Sequence, residues 1–435
     1  MGFVLAAAGS AVGLGNVWRF PYVTGENGGG AFLLIYLGIV FTIGVSVLVA
    51  ELIIGRSTQL DPAGAFRKLA GGAWPLAGYM SIFTAFIILS FYCVIAGWTL
   101  AYTVKSLTGS VLNPDTEQAG SLFNAFITDP FEPVLYTALF LSITVFVALG
   151  GIANGIERAA RVLMPALFAI LLVLAARSIT LDGAAEGITF FLEPDFSKVT
   201  WATFLAALGQ AFFSLSLGMG AMITYGSYMN RHDDIAGSAL TVTLLDALVA
   251  FLAGLVILPA VFAFGATPSA GPGLTFITLP SIFAQMPFGH VFSALFFALL
   301  AIAALTSSVA LLEVVIAYFV DENGANRKKV ATIAGAAVFV LAVPASLSLG
   351  VMSGFTIGGN VLFDAMDYVT NNITLPLGGL LVALLLGWVL RHKGEEEFLD
   401  GSTLAPALLG AWRFVIRYAA PVAITLILIN GVGIL

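Results

Sequence analysis

The opening segment, Ala6 through Tyr22 (AAAGSAVGLGNVWRFPY), is apolar enough to enter a bilayer, yet Gly9, Gly13 and Gly15 fall in its middle. Glycine is a poor helix former and lets other groups approach the backbone closely. At lipid depth, backbone leaves the helix only where it is buried in protein or lines a cavity. A first span broken at its centre therefore points to a site. The same glycines on an intact helix would be only a packing face. The rest of the chain decides between these readings.

With 60% hydrophobic and 9% charged residues, the chain lacks the polar surface a soluble domain needs. Eleven apolar stretches are each long enough to cross ~30 Å of hydrocarbon: 3–24, 29–56, 77–107, 133–151, 156–177, 201–229, 235–264, 291–320, 329–347, 359–390 and 408–432. No cleavable signal precedes them, and Met1 lies so close to the first span that a short leader upstream is expected. A single cysteine, Cys93, excludes an intrachain disulfide. Neither a basic nucleic-acid surface nor a Cys/His metal cluster is present in the sequence.

Loop charges orient the chain. Arg56, Arg67, Lys68, Arg158, Arg161, Arg231, Arg327, Lys328, Lys329, Arg391, Lys393, Arg413 and Arg417 all fall on one side if every stretch crosses. Lys105, Arg177 and Lys198 are the basic residues near the other side. The positive-inside rule then puts the N-terminus in the cytoplasm and the C-terminus outside an inner (plasma) membrane.

Polar groups within spans are functional hypotheses by default. The sixth span, Gly209 to Ala221 (GQAFFSLSLGMGA), is a second glycine-interrupted helix, five spans after the first. Two broken helices in matching positions of two five-helix halves mark an inverted-repeat transporter with a midplane site, a rule formulated on this architecture. The eighth span adds Thr306, Ser307 and Ser308, whose hydroxyls could equally bond back to their own helix. Asp246 in the seventh span and Glu51 in the second are lone carboxylates that need a partner, a cation or a proton.

AAAGSAVGLGNVWRFPY with the following Glu26-Asn27-Gly28-Gly29-Gly30-Ala31-Phe32, together with FFSLSLGMG and ALTSS, resembles the first, sixth and eighth helices of the neurotransmitter:sodium symporter family. The resemblance extends over essentially the whole chain. It implies an all-α polytopic protein with the leucine-transporter fold. Its eleven helices would form a 5+5 inverted repeat (1–178 and 201–391) plus an added helix at 408–432. The implied activity is sodium-driven symport of an amino acid, not enzymatic catalysis.

Position by position, the resemblance implies two Na+ ions. One would sit on the carbonyls of Gly9, Val12 and Ala303 and the hydroxyls of Thr306 and Ser307. A hard cation wants several such oxygens, and a helix break frees them. The other would use the Ala11 carbonyl, Asn16, Ser214 and Asp246, the last standing where the family usually has Asn. The substrate carboxylate would meet this second ion, the amides around Leu14 and Gly15, and the Tyr92 hydroxyl, where the positive end of the half-helix favours an anion. Carbonyls of Ala11, Phe213 and Ser214, with Ser216, would take the ammonium. Ile88, Ala11, Phe213, Ser216, Met219, Ser307 and Leu311 would line the side-chain pocket. Gly13 stands where amine-transporting relatives carry Asp, which argues for a true α-amino acid, and with the apolar pocket the expected substrate is a hydrophobic L-amino acid: Leu, Met, Phe, Tyr or Trp.

Glu51 matches an acid that ties the unwound sixth helix. Arg19 and Asp367 match an outer charged gate above Tyr92 and Phe213, and Tyr228 and Asp321 match an inner gate. Gly155 and Pro165 match a Gly-X9-Pro element that loosens the fifth helix. Chloride-dependent relatives hold the anion with residues matching Tyr36, Gln210 and Ser214, plus a serine replaced here by Ala250. Asp246, one turn from Ala250, supplies a fixed charge, so transport is expected to need no chloride. A channel would need a continuous polar pore. An intramembrane enzyme would need a nucleophile beside a base, and His232, His290 and His392 all fall in or near loops. A sensor that keeps the fold but has lost transport is a further alternative.

Overall fold

Two interruptions organise the computed structural model, which describes residues 2–268 and 273–433. Helix α1 (Gly2–Ala11) stops at the first glycine-rich stretch, and a π-helical turn over Gly15–Arg19 leads into α2 (Phe20–Glu26). In chain order follow α3 (Gly30–Thr58), α4 (Pro62–Leu69), α5 (Pro75–Thr108), α6 (Thr116–Thr128), α7 (Glu132–Leu149), α8 (Ile152–Ile179) and α9 (Ala184–Leu192). The second interruption separates α10 (Trp201–Ser214) from α11 (Ala221–Ser227). Then come α12 (Ile235–Ala263), α13 (Leu274–Ala284), α14 (Gly289–Asn323) and α15 (Arg327–Leu347). A small hairpin of β1 (Thr356–Ile357) and β2 (Asn360–Val361) precedes α16 (Leu362–Val389), α17 (Arg391–Leu399) and α18 (Ala405–Gly431).

Among the described residues, nine helices are long and apolar enough to cross a membrane. The two broken helices bring the crossings to eleven, as the hydropathy pattern predicts. Local chemistry sets their ends. Asp234 caps α12 by accepting from Gly237 N at 3.0 Å, and Asn326 caps α15 by accepting from Lys329 N at 3.2 Å. The longest helices, α5 and α14, have 34 and 35 residues and pack along each other. At about 1.5 Å per residue each outruns the hydrocarbon layer, so they form a rigid wall for the broken helices.

Between α10 and α11 the backbone cannot stay helical. Gly218 has φ +83° and packs so tightly on Leu375 of α16 that a β-carbon there would strike its carbonyl. Ser216 also takes a left-handed φ of 55°, a conformation that a residue with a side chain holds only under tertiary constraint.

The five loop helices α4, α6, α9, α13 and α17 were not anticipated. Each is shorter than a bilayer-crossing apolar run, the signal on which the sequence reading relied. The expected start of the tenth span at 359 lies in the hairpin instead.

Candidate functional site

The breaks in the first and sixth spans meet directly beside α12, and their polar groups converge on Asp246. Asn16 Nδ2 donates to Asp246 Oδ1 at 2.7 Å and to Ser214 Oγ at 2.9 Å, while Asn16 Oδ1 accepts from Gly13 N at 3.1 Å. Ser214 Oγ lies 2.9 and 3.0 Å from the two Asp246 oxygens. Tyr36 Oη is 3.2 Å from Ser214 Oγ and 3.4 Å from Asp246 Oδ2. Gln210 Nε2 donates to the Gly15 carbonyl at 2.7 Å. Asn16, Tyr36, Gln210 and Asp246 have no solvent exposure at all, and Ala250 is equally buried. An ionised carboxylate enclosed like this requires a compensating cation or a proton, because several dipoles do not cancel a full charge in a low-dielectric interior.

A second convergence joins α1 to α14. Thr306 Oγ1 is 3.4 Å from the Val12 carbonyl and 3.0 Å from the Ala303 carbonyl. Ser307 Oγ donates to the Ser10 carbonyl at 3.0 Å and approaches that of Val12 at 3.5 Å. Gly9 packs on Thr306, with room for a β-carbon 3.4 Å from Thr306 Cβ. Every oxygen here is neutral. Ser308, by contrast, faces away: its Oγ donates to Leu305 O at 3.0 Å and lies within hydrogen-bond distance of Thr144 Oγ1 at 2.9 Å.

Between these two clusters lies a cavity of about 30 Å³ lined by Ser10, Ala11, Gly13, Leu14, Gly15, Ile88, Tyr92, Phe213, Ser216, Met219, Ser307 and Leu311. Leu14 N donates to Tyr92 Oη at 3.3 Å, and Ser216 Oγ donates to the Ser10 carbonyl at 3.1 Å. A β-carbon at Gly13 would collide with Ser307 Oγ and sit 3.2 Å from Tyr92 Oη, so a side chain there requires Ser307 to shift. Glu51 Oε1 accepts from Gly218 N at 2.7 Å, which holds the unwound stretch after α10 against α3.

Above this cavity, Tyr92 and Phe213 separate it from a larger one of about 310 Å³ that both Arg19 and Asp367 line. The expected Arg19–Asp367 pair is not made. The Arg19 guanidinium sits 4.8 Å over the Phe213 ring, and Asp367 Oδ1 accepts from Asn371 Nδ2 at 2.6 Å. The physical reason is that each group is already engaged, Arg19 by the Phe213 ring and Asp367 by Asn371.

At the opposite mouth, Tyr228 and Asp321 are likewise not joined to each other. Tyr228 Oη donates to Glu313 Oε1 at 2.6 Å, and Glu313 is also paired with Arg327. Asp321 Oδ2 accepts from Asp61 N at 2.8 Å, at the start of α4. Arg67 on α4 clamps Glu322 at 2.6 Å. Asp61, in the loop between α3 and α5, caps α4 through Ala63 N and Gly64 N. Burial nevertheless pushes its carboxyl up to about 6, outweighing those two hydrogen bonds.

The profile of the sodium:neurotransmitter symporter family matches residues 1–118 and 127–434. The chain belongs to this family. It is 41% identical to an uncharacterised sodium-dependent transporter of Bacillus subtilis (YhdH), over 100% of this chain and 97% of that one. An uncharacterised sodium-dependent transporter of Haemophilus influenzae is 36% identical over 99% and 96% of the two chains. A crystal structure of MhsT in complex with L-phenylalanine superposes with a TM-score of 0.90 at 45% identity, covering 99% of this chain and 98% of that one. The protein is thus a multi-pass membrane transporter with the leucine-transporter fold, and not an enzyme.

Three polar residues of this symporter escaped the sequence reading. Glu313 is a lone acid in an apolar span, as Glu51 and Asp246 are, and the same test applied to the eighth span would have found it. In the sequence Arg327 reads only as a loop charge. Ser10 acts through its carbonyl, which no side-chain motif can announce.

Proposed function

We propose that this transporter is a sodium-coupled symporter for hydrophobic and aromatic L-α-amino acids, driven by two sodium ions and independent of chloride. The observation that carries the reading is the buried Asp246 carboxylate held by Asn16, Ser214 and Tyr36 beside the break after α1. Asp246, Asn16, Ser214 and the Ala11 carbonyl hold one ion, and the substrate carboxylate completes its shell. Gly9, Val12, Ala303, Thr306 and Ser307 hold the other.

The substrate's carboxylate meets the amides of Leu14 and Gly15 and the Tyr92 hydroxyl, and its ammonium meets the carbonyls of Ala11, Phe213 and Ser214. Its side chain enters the apolar pocket of Ile88, Met219 and Leu311. That pocket's ~30 Å³ is far below the ~150 Å³ that admits a benzene ring, so Phe213 and the flexible Met219 yield on binding. The complex of MhsT with L-phenylalanine supports an aromatic substrate by similarity.

Residues 1–178 and 201–391 act as the two inverted halves, with 408–432 peripheral to them. Arg19 and Asp367 close toward each other above the substrate on the outer side. Tyr228, Asp321 and the Glu313–Arg327 pair guard the cytoplasmic side, where the N-terminus lies, and the C-terminus is outside. Gly155 and Pro165 let the start of α8 unwind, which admits water to the ion between α1 and α14.

The test is uptake of labelled phenylalanine and leucine by reconstituted protein. Sodium should be required, and replacing chloride by gluconate should leave the rate unchanged. Equal uptake in potassium would end the symporter reading, and arrest without chloride would end the role given to Asp246.

A further inference from the structure

Tyr225 lies one turn before Tyr228 on α11 and is 2% exposed, yet its hydroxyl has no hydrogen-bond partner among the described residues. A buried hydroxyl in that state costs about 1–3 kcal/mol, so a native structure retains it for a reason. The ring lines a cavity of about 10 Å³ whose wall also includes Thr306, Ala160 and Ile156. That volume is roughly what one water needs. The hydroxyl also lies within electrostatic reach of Glu313 and Arg327, neither of which lines that cavity. Arg327 Nε is a second buried polar group without a partner, and Gly151, just before α8, has its missing β-carbon 3.7 Å from it. Thr306, Tyr225, Arg327 and Gly151 therefore form a line of polar or bare positions. It runs from the oxygen cluster between α1 and α14 to the glycine-rich start of α8.

We infer that Tyr225 is a positioning residue for sodium release: its hydroxyl holds the water that enters behind Thr306 and replaces the departing ion. The inference rests on the sodium site proposed between α1 and α14. The hydroxyl holds the water that offers the ion's ligands a substitute partner as the ion leaves, and the Glu313–Arg327 pair lies toward the cytoplasmic mouth. Before α8 loosens, the apolar walls of the cavity keep the route narrow. The residue acts on the rate of exit and not on the affinity of the bound state.

The experiment uses the full chain, loaded with sodium and labelled phenylalanine and then diluted rapidly into potassium. Tyr225→Phe should slow loss of label about fivefold, the rate equivalent of one hydrogen bond, with equilibrium sodium and phenylalanine affinities unchanged. Its melting temperature should not rise, whereas deletion of a dry, unpartnered hydroxyl would raise it. Ala160→Val, which fills the cavity while leaving the Tyr225 hydroxyl in place, should slow release in the same way. An unchanged release rate in either variant, or a stabilised Tyr225→Phe with normal kinetics, overturns the inference. Thr306→Ala, measured in parallel, separates the two readings. If it retains full sodium dependence, the ion site itself is wrong and the inference falls with it. If it loses that dependence while Tyr225→Phe releases normally, only the role of Tyr225 is refuted.

Discussion

The two oxygen clusters beside the break after α1 look alike in the sequence and differ in charge. The cluster at α14 consists of hydroxyls and carbonyls, with Thr306 and Ser307 reaching the carbonyls of Val12, Ala303 and Ser10. The cluster at α12 contains Asp246, fully buried and gripped by three side chains. A neutral cage binds a dehydrated cation through dipoles alone and can release it when water enters. A caged carboxylate couples its cation to whatever else is charged nearby, because in a low dielectric each unbalanced charge is expensive. On the function proposed above, the difference gives the clusters distinct tasks: the α12 cluster would tie sodium to substrate, and the α14 cluster would tie sodium to the conformational state.

The largest effects come from removing one oxygen ligand from each cluster. Asn16→Ala should abolish sodium-dependent phenylalanine binding, because it deletes a ligand and also the groups that bond Asp246, Ser214 and Gly13. Thr306→Ala should weaken sodium binding at least tenfold. A sodium titration of phenylalanine binding in potassium-balanced buffer measures both. If either variant keeps wild-type sodium affinity, the cluster it belongs to is not an ion site.

Asp246→Asn sharpens the contrast. It keeps an oxygen in place and removes only the charge, so activity should drop severalfold or more while the fold is retained. Adding Ala250→Ser restores a donor one turn away, and transport by the double variant should then depend on chloride. The Thr306→Ala variant should show no chloride effect in the same assay. Chloride dependence of the wild type, or a double variant indifferent to chloride, would erase the distinction between the clusters.

Much of this contrast was legible in the sequence because it rests on strong signals. Glycines at lipid depth locate both breaks, and an acid at position 246 stands out in an apolar run. The number of crossings followed from hydropathy in the same way. What stayed illegible depends on relative placement. Arg19 and Asp367 carry opposite charge, yet each is engaged elsewhere, by the Phe213 ring and by Asn371. Tyr228 turns to Glu313 instead of Asp321 because Arg327, arriving from the start of α15, fixes that carboxylate within reach. Backbone groups such as the Ser10 carbonyl and Asp61 N take part without any residue-type signature. The loop helices are too short for the periodicity and length criteria that identified the spans.

The smallest expected effect is at Ser308, which tests whether the α14 cluster is a geometric site or only a run of hydroxyls. Thr306, Ser307 and Ser308 are consecutive, but a helix turns about 100° per residue, so three neighbours cannot face one ion. Ser308 points to α7, where its hydroxyl meets Thr144, and it bonds back to the Leu305 carbonyl of its own helix. Ser308→Ala breaks the contact with Thr144, whose Oγ1 keeps a bond to the Phe140 carbonyl at 3.1 Å. The cost should be about 1 kcal/mol of stability, seen as a small fall in melting temperature. Sodium affinity, sodium dependence of uptake and chloride indifference should all match wild type. A loss of sodium affinity comparable to that of Thr306→Ala would mean that α14 presents a different face to α1 than the structure shows, and the neutral cluster would have to be rebuilt around Ser308.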